Sequence, residues 1–143
     1  MNIFKILTPK RRLGNLGENA AARYLRKHGY KILERSYEGK WGEIDIIAKK
    51  KNVFAFIEVK TRSKISIGLH EPRPAAAVDP EKQRRLIRIA NEYARRIHKP
   101  EGCPMRMDIV EVITKKDETE KTKIESIYHI ENAFDMNSAY HRR

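Results

Sequence analysis

Two apolar runs joined by a short polar link constrain this chain more than any other feature. Residues 43–48, Glu43-Ile44-Asp45-Ile46-Ile47-Ala48, and residues 53–61, from Val53 to Thr61, are rich in β-branched and aromatic side chains and flank Lys49-Lys50-Lys51-Asn52. Such runs favour strands, and the link has the length of a hairpin loop, so an antiparallel pair is expected. Alternation along a strand puts Glu58 and Lys60 on one face and Ile57 and Val59 on the other. With the turn at Lys50-Lys51, Asp45 lies near-diagonal to Glu58, a separation that a divalent ion with carboxylate ligands can bridge. Two acids and a lysine inside apolar strands need a reason, because buried charges are costly unless paired or metal-bound. The plain alternative is a half-exposed hairpin with these side chains facing water. An isolated Glu-x-Lys fits that alternative, whereas the added upstream aspartate and apolar setting favour a site.

The protein around the hairpin is strongly basic: 31 Lys and Arg against 19 Asp and Glu give a net charge of +12 over 143 residues. A charge of that size attracts polyanions over long range, so nucleic acid is the expected partner; solubility or an anionic lipid surface is the alternative. The length suits one domain with a hydrophobic core, residues 1–143 as a unit. Cys103 is the single cysteine, which leaves no intramolecular disulfide and no cysteine-based zinc site. The apolar start, Ile3-Phe4 and Ile6-Leu7, is broken by Lys5 and runs into Pro9-Lys10-Arg11-Arg12, too short and too charged for a signal peptide or a membrane span. A cytoplasmic protein is expected.

The remaining elements follow from periodicity and punctuation. Residues 1–12 read as a basic arm, residues 16–27 as a helix stopped by Gly29, residues 30–35 as a short strand and residues 37–41 as a turn. Residues 64–79, with Gly68, Pro72 and Pro74, read as a mobile loop. Asp79-Pro80-Glu81 supplies an N-cap, a proline at the first helical position and an acidic first turn for a helix reaching about Ile97. Residues 105–113 and 124–130 are expected strands separated by the charged run 115–123, and the tail 135–143 frays. The order implies an α/β fold in which a central mixed β-sheet is flanked by helices.

Further candidates lie on the helices. Gly14, Glu18, Ala21 and Leu25 share one helical stripe, which points Glu18 inward toward metal or water; capping the positive helix end is its alternative role. Lys82, Leu86, Ile89 and Tyr93 form a similar stripe, so Lys82 can enter a site, and Arg84, Arg88 and Arg95 beside it can track phosphates or form a solvated basic face. His70 has no partner at motif spacing. Asp108 is left open between a structural role, pairing with Arg106, and a place near the site.

The segments Gly42-Glu43-Ile44-Asp45-Ile46-Ile47-Ala48 and Phe56-Ile57-Glu58-Val59-Lys60-Thr61-Arg62 closely resemble the YraN-like uncharacterised protein family. The likeness extends to Gly14-Asn15-Leu16-Gly17-Glu18, Gly29-Tyr30, Lys82, Arg106-Met107-Asp108-Ile109-Val110 and Asn132-Ala133-Phe134. It implies a restriction-endonuclease-like, resolvase-like core of the PD-(D/E)XK kind, with Ile44 standing where the signature has proline. On that resemblance Asp45, Glu58 and Lys60 correspond to the acid, acid and lysine of a nuclease, and Glu18 to the helix glutamate of the resolvase-like branch. The expected activity is hydrolysis of phosphodiester bonds in DNA, structured or branched. Asp45, Glu58, the Val59 carbonyl and Glu18 are the expected ligands of Mg2+ or Mn2+. Lys60 is the expected catalytic lysine, and Lys82, Gln83, Arg84, Arg88 and Arg62 are the expected contacts to nucleic acid. Cutting both strands at one site would suit a homodimer. A non-catalytic nucleic-acid-binding module with the same fold is the alternative, and a protein-interaction scaffold a third reading.

Overall fold

The computed structural model describes residues 9–64 and 78–137, in which α1 (Pro9–Lys27), β1 (Lys31–Gly39), β2 (Gly42–Lys50), β3 (Val53–Ser63), α2 (Pro80–Arg96), β4 (Met105–Lys116) and β5 (Thr122–Phe134) follow in order. The strands form one sheet in the order β1-β2-β3-β4-β5. Neighbours are antiparallel except β3 and β4, which run parallel, so the sheet is mixed as the sequence implies. Residues 1–8, 65–77 with His70, and 138–143, on which most of the expected arm, loop and tail fall, lie outside the described residues.

Local chemistry accounts for the element ends. The Asp79 carboxylate accepts the Lys82 backbone N–H at 2.9 Å and Pro80 occupies the first turn of α2, where a missing N–H costs nothing. Gly29, at φ +91°, reverses the chain after α1 as expected. Four expectations need correction. The helix α1 begins at Pro9, so residues 9–12 of the expected arm are helical; Pro9 suits a first turn, and Lys and Arg are good helix formers. The segment 37–39 is strand, because Tyr37 pairs with Ile44 and Gly39 with Gly42, which confines the turn to Lys40-Trp41. The β2–β3 turn is Lys51-Asn52, one residue later than expected, with Lys50 opposite Val53. Both C-terminal strands are longer than their apolar runs, since the Asp117 carboxylate gathers the N–H groups of Thr119 and Lys121 and tightens the turn to residues 117–121.

Among the described residues, one helix packs on each sheet face. Ala20, Ala21, Ala22 and Leu25 of α1 pack on Ile46, Ala48, Ala55, Ile57, Val110 and Val112. Leu86, Ile87, Ile89, Ala90 and Tyr93 of α2 pack on Ile44, Ile47, Phe54, Phe56, Met107 and Ile109 on the other face. Each large apolar side chain so buried contributes roughly 1.5–3 kcal/mol. At Gly17 the helix lies close on β3: a Cβ there would lie 1.9 Å from Thr61 Oγ1, so a larger residue would force Thr61 to shift. No described helix is long and apolar enough to cross a membrane.

Candidate functional site

The site begins where β2 and β3 part. Their ladder runs from Lys50 and Val53 to Ile46 and Ile57 and ends there, so the next step of the register sets Asp45 level with Glu58 without a ladder pair. This is a direct rather than diagonal juxtaposition, a consequence of the later turn. At that step the Val59 N–H donates to Asp45 Oδ2 at 2.8 Å. The side chain thus takes a donor that a regular ladder gives to backbone. Ile44 and Ile46, two residues apart, should share a face, yet Ile44 packs in the α2-side cluster and Ile46 in the α1-side cluster. The strand turns over at Asp45. On the neighbouring strand Ser36, between the pairs Arg35 with Ile46 and Tyr37 with Ile44, has φ +50°, an uncommon value for a residue with a side chain.

Glu58 is 8% exposed and is matched by lysines from two elements. Lys82 Nζ of α2 lies 2.5 Å from Glu58 Oε2, and Lys60 Nζ, two residues along β3, lies 3.8 Å from the same oxygen. Strand alternation and the inward stripe of α2 therefore converge on one carboxylate. Glu18 enters from α1, held by Arg35 at 3.9 Å, whose guanidinium also donates to Asn19 at 2.8 Å.

Three acids gathered this closely repel one another. Burial first, then the charges of Glu58 and Glu18, push the Asp45 carboxyl up to about 7, against the Val59 N–H and Lys82, which favour its ionised form. Burial also raises Glu18, with repulsion from Glu43 and Glu58, while Arg35 and a hydrogen bond with Asp45 oppose the rise. Burial and crowding thus act in the same direction on both carboxyls, each raised above its ordinary value. The donor set is of the oxygen-rich, anionic kind that hard divalent cations take. Among the described residues, however, no three acidic, histidine or cysteine side chains close on one point as a finished metal cage.

The remaining expected residues divide between the site and its supports. Lys82 is in the site through Glu58. Gln83 donates to the Val78 carbonyl at 2.9 Å and braces the start of α2. Arg62 pairs with Glu111 at 3.6 Å. Arg88 is exposed, with its guanidinium 4.8 Å from the Trp41 ring centre, and Arg84 is half-buried on the same helix.

Residues 17–112, from the glycine beside Glu18 into β4, match the uncharacterised protein family UPF0102. The chain belongs to this family. A UPF0102 protein, TTE1452, of Caldanaerobacter subterraneus subsp. tengcongensis is 44% identical over 125 residues, covering 87% of this chain and 96% of the relative. Another, from Caldicellulosiruptor saccharolyticus, is 42% identical over 125 residues, covering 87% and 98%. Among solved structures, Pyrococcus furiosus SfsA in complex with Ca2+ is similar at a TM-score of 0.42 and 12% identity, over 82% of this chain and 63% of that one.

In this UPF0102 protein a second polar cluster, which sequence reasoning left open, surrounds Asp108. Its side chain is fully buried. It accepts from Arg106 Nε at 2.9 Å and Nη2 at 2.9 Å, from the Asn132 N–H at 2.9 Å, and lies 2.8 Å from His129 Nε2. Arg106 also donates to the Tyr30 hydroxyl at 2.5 Å. Burial alone would raise the Asp108 carboxyl, but His129, Arg106 and the Asn132 N–H outweigh it and hold the group below its ordinary value. Of the roles left open, pairing with Arg106 is the one observed. The i, i+2 spacing of Arg106 and Asp108 on a strand was its signal; His129 and Asn132 carried none, because their approach depends on the β4–β5 register.

Proposed function

We propose that this UPF0102 protein is a divalent-metal-dependent nuclease that hydrolyses phosphodiester bonds in DNA, at structured or branched sites. The observation that carries this reading is the meeting of Glu18, Asp45 and Glu58, from α1, β2 and β3, with Lys60 and Lys82 at the point where two strands separate. Carboxylates aimed at a phosphate repel it, so an arrangement of this kind on a chain of net charge +12 makes sense with a cation between. Asp45, Glu58, the Val59 carbonyl and Glu18 would hold Mg2+ or Mn2+, which when bound makes water more acidic and offsets charge developing on the phosphate. Lys60 orients the attacking water or stabilises the pentacovalent phosphorane. Lys82 holds Glu58 in place through their ion pair, and contributes positive charge toward the scissile phosphate.

The test is cleavage of labelled single-stranded, duplex, flap and four-way-junction DNA with Mg2+ or Mn2+, comparing wild type with Asp45→Asn and Lys60→Ala. Metal-dependent cutting abolished by both substitutions is the expected result. A second reading, a binding module without catalysis, is favoured by one observation: both lysines rest on Glu58 and no finished cage is formed among the described residues. Salt-sensitive DNA binding that survives loss of Asp45 and Glu58, with no cutting of any substrate, would establish it.

A further inference from the structure

Beside the carboxylates lies an aromatic side chain that the proposed hydrolysis does not use. Trp41, the chain's single tryptophan, is 42% exposed. Its position is nevertheless built. Lys40 and Trp41 form the whole β1–β2 turn between Gly39 and Gly42, and Gly42 has φ +133°, a conformation that side chains rarely adopt. Glu92 of α2 accepts the Lys40 N–H at 3.0 Å, and a Cβ on Gly39 would come within 2.5 Å of that same Glu92 oxygen. The turn is thereby docked on α2, and its indole is presented rather than buried.

The surroundings of the ring are cationic. The Arg88 guanidinium lies over the ring, 4.8 Å from its centre, and Lys40 Nζ over it at 5.8 Å, so a stacking base shares the ring with these cations. Trp41 also lines a depression of about 200 Å3 together with Arg85, Lys82 and one acid, Glu43. Lys82 is the residue whose ammonium touches Glu58. An exposed indole, flanked by cations and sharing a depression with a lysine of the carboxylate site, matches the combination by which proteins hold single strands: rings on which bases stack, with positive charge along the backbone. A fully paired duplex offers no free base face to such a ring.

We infer that Trp41 is a stacking platform for an unpaired base of a DNA strand whose backbone passes Arg85 and Arg88 into the Glu58–Lys82 site, so that the substrate carries a single-stranded segment next to the bond addressed. The inference rests on the nuclease or nucleic-acid-binding reading and specifies its substrate class.

The single tryptophan makes the test direct. With Ca2+ in place of Mg2+, its emission is followed as the protein is titrated with oligothymidylate, with an abasic oligomer of equal length and charge, and with a duplex closed at both ends by non-nucleotide linkers; binding of each is measured in parallel by anisotropy. Quenching by oligothymidylate alone is expected. Trp41→Ala should weaken oligothymidylate binding about ten-fold, the effect of losing one stacked base, leave binding of the closed duplex unchanged, and be largely rescued in Trp41→Phe. Equal quenching by the abasic oligomer would overturn the inference in favour of charge alone. Binding of oligothymidylate without quenching would overturn it while leaving the proposed function intact. Failure of all three nucleic acids to bind would overturn both.

Discussion

Replacing Asp45 by asparagine should make the protein more stable at alkaline pH, even though it removes the central acid of the site. The Asp45 carboxyl is raised from 3.8 to about 7, by burial first and then by Glu58 and Glu18. A group whose folded value exceeds its unfolded value favours the folded state while protonated, and that advantage is lost as pH rises from the unfolded value toward the folded one. The rise corresponds to about 4 kcal/mol at full strength; screening by the solvent that still reaches the carboxyl reduces this to roughly 2 kcal/mol. Asparagine mimics the protonated acid: its oxygen can still accept the Val59 N–H and its amide can donate to Glu18. Thermal unfolding of both proteins in metal-free buffer should therefore show nearly equal Tm at pH 4, a gap that opens toward pH 7, and Asp45→Asn higher by roughly 6–8 °C at pH 8. Equal Tm values at pH 8, or a less stable variant at both ends of the range, would refute the claim that crowded carboxylates destabilise the fold.

Three further outcomes are expected. At pH 8, Mg2+ at a hundred times its Kd should stabilise the wild type by about 2.7 kcal/mol and leave Asp45→Asn unmoved, as read by the same unfolding assay. Gly17→Ala, which brings a Cβ to 1.9 Å from Thr61 Oγ1, should cost roughly 1–3 kcal/mol by overpacking, with Thr61→Ala restoring part of it in the double variant measured by urea unfolding. Asp108→Asn should cost roughly 3–5 kcal/mol by breaking a buried ion pair, and because the Asp108 carboxyl sits below its ordinary value, the difference from wild type should be full at pH 7 and shrink as pH falls below about 4; denaturant midpoints across that range check it.

Much of the architecture was legible because it depends on local chemistry. The Asp79-Pro80 start of α2, the Gly29 stop of α1, and the apolar alternation of β2 and β3 are each specified within a few residues. What was not legible depends on partners distant in sequence. The extension of β1 to Gly39 follows from its pairing with β2, and the lengths of β4 and β5 from pairing with each other. For the site, the stripe through Glu18 and the stripe through Lys82 did point the right way, since one periodicity sets which helical face is buried. The face taken by Asp45 was hidden, because β2 turns over at that residue and strict alternation cannot anticipate it. Trp41 gave no signal at all, being a turn residue whose neighbours Arg88 and Glu92 come from α2.

The single parallel pairing in the sheet has a kinetic consequence. β1, β2 and β3 form a meander, and β4 and β5 a hairpin, each closed by a short turn. Joining the two units through β3 and β4 requires the chain from Lys64 to Pro104 to be spanned first, and such long-range closure is slow compared with hairpin formation. The acids Asp45 and Glu58 belong to the early unit, whereas Lys82 arrives on α2 within the late crossover. The two carboxylates are thus brought together by a local hairpin, whereas the place of Lys82 beside Glu58 depends on the long-range closure that joins the two halves of the sheet.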